Sequence, residues 1–168
     1  MRQLVTLAFI AVIFIGCSST KQVLTVRPNE HIELGWTPRS VLQTPAYAWF
    51  DSGYAIYQPK EEYIERLRGM KDNLEFLIVY GTWCSDSHRE MPRFFKIMDA
   101  IGFSSNLITM IATDRSKQLP EGIPQQYGVT HVPTFIVKYR GIEIGRIVEL
   151  PRYSLEQDIA DLLSAVHQ

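Results

Sequence analysis

The apolar positions of this chain change their spacing several times from one end to the other. Residues 4–15 are an almost unbroken apolar run behind the basic start Met1-Arg2-Gln3, closing at Gly16-Cys17. A run of that length falls short of the ~20 residues that cross a bilayer, and its layout is that of a secretory signal peptide, assigned to residues 1–16. Residues 17–45 mix short apolar stretches with Pro28, Gly35, Pro38 and Pro45. They predict a tether, although Trp36 would suit a strand packed on the domain, because a lone tryptophan is seldom fully exposed.

The domain proper is expected over residues 46–168. Tyr47-Ala48-Trp49-Phe50 and Tyr54-Ala55-Ile56-Tyr57 flank Asp51-Ser52-Gly53 and predict two short strands around a turn. Tyr63, Ile64, Leu67 and Met70 recur at helical spacing behind Pro59, predicting a helix over about 60–70. Residues 76–80 form a continuous β-favouring run of the kind buried on both faces. A long helix follows Cys84, with Met91, Phe94, Phe95, Met98 and Ile101 on its buried face, Gly102 at its C-cap and Pro92 inside it, where a kink is expected. Residues 107–112 predict another buried strand, and 114–122 a polar loop. Residues 134–139 and 142–148 pair as a hairpin around Arg140-Gly141. Ser154 with Gln157 resembles a capping box opening a last helix through Ile159, Leu162, Leu163 and Val166. The fold class is α/β: a three-layer arrangement, with a mixed central sheet flanked by helices.

Composition narrows the function. The 168 residues are 46% hydrophobic, which suits one domain with a sizeable core, and the net charge is -1. No basic stripe with interleaved aromatics occurs, so nucleic acid is not an expected partner. Only two cysteines are present, Cys17 and Cys84. Phe14-Ile15-Gly16-Cys17 resembles a bacterial lipobox, which implies cleavage before Cys17 and a thioether-linked diacylglycerol on its sulfur. Two or three acyl chains anchor a protein firmly, at about 0.8 kcal/mol per buried CH₂. The expected location is therefore extracytoplasmic and membrane-anchored, on the periplasmic side and at the outer membrane if the source has one, since Ser18 follows the cysteine instead of aspartate. With Cys17 lipidated, Cys84 has no intramolecular partner, and a free thiol in an oxidising compartment calls for a specific role.

Cys84 falls where a buried strand gives way to a helix. The partial positive charge of the helix N-terminus favours a thiolate there, and His88 and Arg89 lie close enough in sequence to add to it. The residues Val79-Tyr80-Gly81-Thr82-Trp83-Cys84-Ser85-Asp86-Ser87, with Pro92 eight positions after the cysteine, resemble the thioredoxin family's strand, Trp-Cys-x-x-Cys motif and kinked helix. Tyr127-Gly128-Val129-Thr130-His131-Val132-Pro133-Thr134-Phe135 is similar to that family's cis-proline segment. The resemblance covers about residues 60–166. It implies that Cys84 is the nucleophile and Trp83 shields it. It further implies that Pro133 is a cis-proline and that Val132 offers its backbone to an extended substrate.

The departures are as informative as the matches. Ser87 replaces the resolving cysteine, Ile78 stands where many thioredoxins carry a buried acid, and Met110 stands near their partner lysine. The first step of thiol-disulfide exchange needs a single thiolate; release then requires an external thiol. Ser87 is placed to hydrogen-bond the Cys84 sulfur. His88 is either a local charge donor or a solvated side chain, and His131 would approach Cys84 if Pro133 is cis. His31, His131 and His167 are too scattered for a metal site, and no cofactor is implied. The resulting expectation is a monothiol thiol-disulfide oxidoreductase or isomerase acting on extracytoplasmic proteins or on small thiols and disulfides. The alternative is a thioredoxin-fold binding module without turnover.

Overall fold

Strict alternation along one central strand decides which elements go where. In the computed structural model, which describes residues 32–117 and 122–166, β2 (Leu74–Tyr80) sits at the middle of a five-stranded sheet. It pairs in parallel with β3 (Ile108–Ala112) and antiparallel with β4 (Thr134–Tyr139). β5 (Ile142–Val148) extends the sheet beyond β4, and the two-residue β1 (Gly35–Trp36) closes the other edge against β3, giving the order β1-β3-β2-β4-β5. Because successive side chains point to opposite faces, Phe76, Ile78 and Tyr80 join one core, and Leu77 and Val79 another.

The first core is covered by α1 (Ala48–Ile56), α2 (Glu61–Met70), α3 (Ser85–Ala100) and α5 (Leu155–Val166). The second lies under residues 122–133, which include the short α4 (Ile123–Gln126), Tyr127 and the buried Val129 and Val132. The run β2-α3-β3-α4-β4-β5-α5 joins a parallel pair to an antiparallel hairpin, with α4 as a short helix that the pattern of the sequence does not announce. The fold is thioredoxin-like. Helix ends follow the sequence: the Ser154 hydroxyl accepts from the Gln157 N–H at 3.4 Å at the start of α5. Gly102, at φ 62°, lets the Phe103 N–H reach back to the Met98 carbonyl at 2.9 Å beyond α3. Arg140 and Gly141, both at positive φ, form the hairpin turn.

Two expectations change. Residues 47–57 are not a hairpin but a 3₁₀ turn, Pro45–Tyr47, running into α1. Phe50, Tyr54 and Tyr57 recur at i, i+4 and i+7, a helical period that the β-favouring composition obscured. Gly53 serves close packing instead of a turn: a Cβ there would lie 2.6 Å from Cγ of Pro92 on α3. Residues 32–45, read as the end of a tether, are packed on the domain. Trp36 pairs with Ile111 in the sheet, and Ile32 and Leu42 are buried. The signal segment, Cys17, His31 and His167 lie outside the described residues. Among the described residues no helix is long and apolar enough to cross a membrane.

Candidate functional site

Cys84 is the N-cap of α3, with extended backbone (φ -95°, ψ 124°), and its side chain is partly exposed. The turn before it is drawn tight by the Cys84 N–H donating to the Gly81 carbonyl at 3.0 Å. The glycine at 81 is required by its neighbour, since a Cβ there would lie 2.7 Å from the Trp83 ring. Trp83 folds back over this turn and donates its indole N–H to the Thr113 carbonyl at 2.7 Å, while the Arg115 guanidinium stands 5.0 Å from its ring.

The second motif meets the first across the sheet end. The Val132–Pro133 peptide bond is cis, and the Cys84 thiol donates to the Val132 carbonyl at 3.2 Å. Cys84, Trp83 and Val132 also belong to one apolar cluster. The proton in the thiol–carbonyl bond must leave before the sulfur can act as a nucleophile, because the thiolate is the reactive species. As the N-cap, Cys84 stands at the N-terminal end of α3, which has no side-chain cap hydrogen bond.

The neighbouring side chains are engaged differently from what their order along the chain suggested. Ser87 is fully buried, and its hydroxyl accepts the Gly81 N–H at 3.2 Å; the hydrogen bond of Cys84 goes to Val132 instead. Arg89 does not direct its charge at the thiol: it donates to Asp86 at 2.9 Å and to the buried Glu90 at 2.6 Å. His88 is not a solvated side chain. Its ring stacks on Trp49 at 4.3 Å, and Nε2 meets the Thr82 carbonyl at 2.6 Å. His131 is exposed, and its Nδ1 pairs with the Thr130 hydroxyl at 2.9 Å.

A polar shelf behind the turn escaped sequence reasoning. The Glu33 N–H donates to Thr82 Oγ1 at 3.3 Å, the Tyr47 phenol donates to the Glu33 carboxylate at 2.9 Å, and the hydroxyls of Thr37 and Tyr80 meet at 2.9 Å. Burial, with the Glu33 carboxylate second, pushes the Tyr47 phenol well above its usual range. Burial does the same to Tyr80, so both phenols keep their protons. Glu33 and Thr82 are 49 residues apart and Thr37 and Tyr80 are 43, and no local motif announces such pairings. Beneath the site, Ile78 and Met110 are register partners in the parallel pair and both are buried. An apolar contact thus occupies the place where the family resemblance implies an acid and a lysine. Among the described residues no cluster of three metal-ligating side chains forms.

No protein-family model matches the chain, and no curated protein matches it. Solved structures similar to it include a protein of unknown function from Pseudomonas aeruginosa (16% identity over 71% of this chain and 80% of that one, TM-score 0.49). They also include mitochondrial thioredoxin 3 from Saccharomyces cerevisiae (22% identity, 65% and 98%, TM-score 0.40). A mutant thioredoxin from Halobacterium salinarum is similar as well (16% identity, 66% and 88%, TM-score 0.38). The assignment of the fold rests on the strand order, the strand-to-helix junction at Cys84 and the cis bond at Pro133.

Proposed function

We propose that this chain is a membrane-anchored, extracytoplasmic thiol-disulfide oxidoreductase that works through the single thiol of Cys84, with Cys17 as the lipidated N-terminus. The observation that carries the reading is a partly exposed thiol at the head of α3, 3.2 Å from the Val132 carbonyl beside a cis-proline. An extended substrate laid along Val132 would bring its own sulfur next to Cys84.

In the reaction, Cys84 loses its proton to solvent and its sulfur attacks one sulfur of a substrate disulfide. A mixed disulfide forms, and the other substrate sulfur leaves as a thiolate. Ser87 has no sulfur with which to attack that bond, so a thiol from the substrate or from a small molecule must do so. That second attack returns the Cys84 thiolate and leaves the oxidising equivalent on the incoming thiol. Trp83 and the apolar cluster around Val132 would shield the reacting sulfurs. The buried Ile78–Met110 pair offers no side chain to shuttle the proton. The alternative is a binding module that uses the same groove without exchange.

Trapping separates the two. Native chain in the extracytoplasmic fraction is expected to collect disulfide-linked adducts that a reductant releases, and Cys84→Ser none. Absence of adducts under mild oxidation, with partner binding equal in the two chains, overturns the enzyme and leaves the binding module. Ser87→Cys, restoring the two-cysteine spacing, is expected to lower the adduct yield by letting the second thiol attack the mixed disulfide.

A further inference from the structure

His88 occupies a position that the exchange chemistry above does not use. It lies one helical turn beyond Cys84 on α3, and its backbone N–H donates to the Cys84 carbonyl at 3.0 Å. Its ring turns back toward the loop, where Nε2 reaches the Thr82 carbonyl at 2.6 Å. A carbonyl oxygen only accepts, so Nε2 carries the hydrogen. The ring is held in that orientation by Trp49 of α1, which stacks on it at 4.3 Å with an interplanar angle of 18°. Trp49 is itself fixed by edge contacts to Tyr47 at 6.0 Å and Phe50 at 6.1 Å.

We infer that His88 is a positioning residue for Cys84, locked by Trp49, and that it fixes the Thr82-Trp83-Cys84 turn so that the sulfur stays over Val132. The turn is gripped from several sides. Thr82 is held at its carbonyl by His88 and at its hydroxyl by the Glu33 N–H, Gly81 by the Ser87 hydroxyl, and Trp83 by the Thr113 carbonyl. Among these, the His88 contact is the shortest and acts on the peptide unit immediately before Trp83. Residues 32–57 lie ahead of the stretch that resembles thioredoxins, yet they supply Glu33, Tyr47 and Trp49 to this grip. That gives the N-terminal segment a task in the site: it holds the ring that holds the turn.

The inference rests on Cys84 being the reacting thiol, and its test needs no natural partner. The probe is the chromogenic disulfide 5,5′-dithiobis(2-nitrobenzoate) with the full chain, in which Cys17→Ser leaves Cys84 as the sole thiol. Cys84 attacks the probe and releases one coloured thiolate, so the second-order rate constant reads how well the sulfur is presented. His88→Phe keeps a ring against Trp49 but has no N–H to donate, and the rate is expected to fall about tenfold. His88→Gln restores a donor at similar reach and is expected to recover to within about threefold of the parent. Trp49→Leu removes the stack and is expected to fall between them.

Two further readouts separate positioning from packing: thermal stability of each variant, and the imidazole nitrogen resonances of His88 at alkaline pH, which should report hydrogen on Nε2. Equal rates for the parent and His88→Phe overturn the inference. So does failure of His88→Gln to recover despite parental stability, or hydrogen found on Nδ1. If His88→Phe does not fold, the comparison of Trp49→Leu with His88→Gln decides: a Trp49→Leu rate equal to the parent overturns it. Reaction with this probe does not depend on adduct capture, so failure of the inference and failure of the proposed function give different results.

Discussion

Along β2, Leu74, Phe76, Ile78 and Tyr80 meet four helices, whereas Leu77 and Val79 face a side covered by residues 122–133 and by Leu34, Trp36 and Trp83. The helical side carries a chain of interlocked rings: Phe94 sits 4.9 Å from Phe76, 5.3 Å from Phe95 and 5.2 Å from Phe135, and is fully buried. The other side has a buried centre of aliphatic residues, Val132 among them, with Cys84, Trp36, Trp83 and Tyr127 packed against it and only partly buried. The difference is a division of labour. Burial of large rings against rigid helices supplies most of the stability, while the thinner side leaves loop backbone free to present a thiol and a carbonyl.

The sharpest way to break this comparison is to cut a hole in each side, a ring from one and two methyl groups from the other. Phe94→Ala is expected to cost about 3–5 kcal/mol, because it removes a whole ring from a site that three other rings cannot close. Val129→Ala, which deletes two methyl groups from the thin side, is expected to cost about 1.5 kcal/mol. Urea unfolding midpoints at constant m-value measure both. Equal losses, from so much smaller a deletion at Val129, would mean that the second side contributes more per buried atom than the helical one.

How much of this was legible in the sequence follows from the range of each interaction. β2, α3, β3, the β4–β5 hairpin and α5 were readable because hydrophobic period, caps and turn residues are local signals. The two motifs around Cys84 and Pro133 were readable as a pair, but their meeting, with Sγ 3.2 Å from the Val132 carbonyl, depends on the sheet order. At α1 the local signals point to strands, because aromatic residues favour strands and Gly53 favours turns, whereas packing against Pro92 overrides both preferences. The roles of His88 and Arg89 were hidden for the same reason. Proximity along the chain put both near the thiol, yet Trp49 from α1 claims one, and Asp86 and Glu90 claim the other.

Gly53 offers a second test of the comparison, because α1 belongs to the helical side only if this glycine is a contact point. Gly53→Ala would put a methyl group 2.6 Å from Pro92 Cγ. The expected result is a loss of about 1–3 kcal/mol from overpacking, against a helix-propensity gain of up to about 1 kcal/mol. Gly69, in α2, has nothing within 4 Å of its would-be Cβ, so Gly69→Ala is expected to stabilise by about 0.5–1 kcal/mol. Opposite signs for the two alanines, read from the same urea titration, support the packed helix. A gain at both would return residues 47–57 to a looser arrangement.

The smallest expected effect lies at the far end of α3, where Asp99 ties the helical side to residue 39. Arg39 donates to both carboxylate oxygens at 2.8 and 2.7 Å, and the Tyr54 phenol donates at 2.7 Å. Burial alone would raise the Asp99 carboxyl, but the hydrogen bonds from Arg39 and Tyr54 outweigh it and hold the group below the usual carboxylate range. A carboxyl depressed in the folded state stabilises fully above its unfolded value of about 3.9, and that contribution is lost as pH falls through the folded value. Since the Asp99 side chain is 41% exposed, solvent screens the pair and the effect stays small. Asp99→Asn is expected to lower the melting temperature by roughly 1–4 °C at neutral pH, with the gap from the native chain closing below about pH 3.9. A gap that persists unchanged into acid would assign the loss to packing of Arg39, whose guanidinium lies 4.6 Å from the Phe95 ring, and not to charge. Asp99 is fifteen residues from Cys84 along the helix, roughly 22 Å, so the probe rate at Cys84 should stay at the native value. A slowed thiol in Asp99→Asn would show that the helical side does more than hold the sheet, because Asp99 is joined to the Cys84 turn along α3 and, through the Tyr54 phenol, along α1, whose Trp49 stacks on His88.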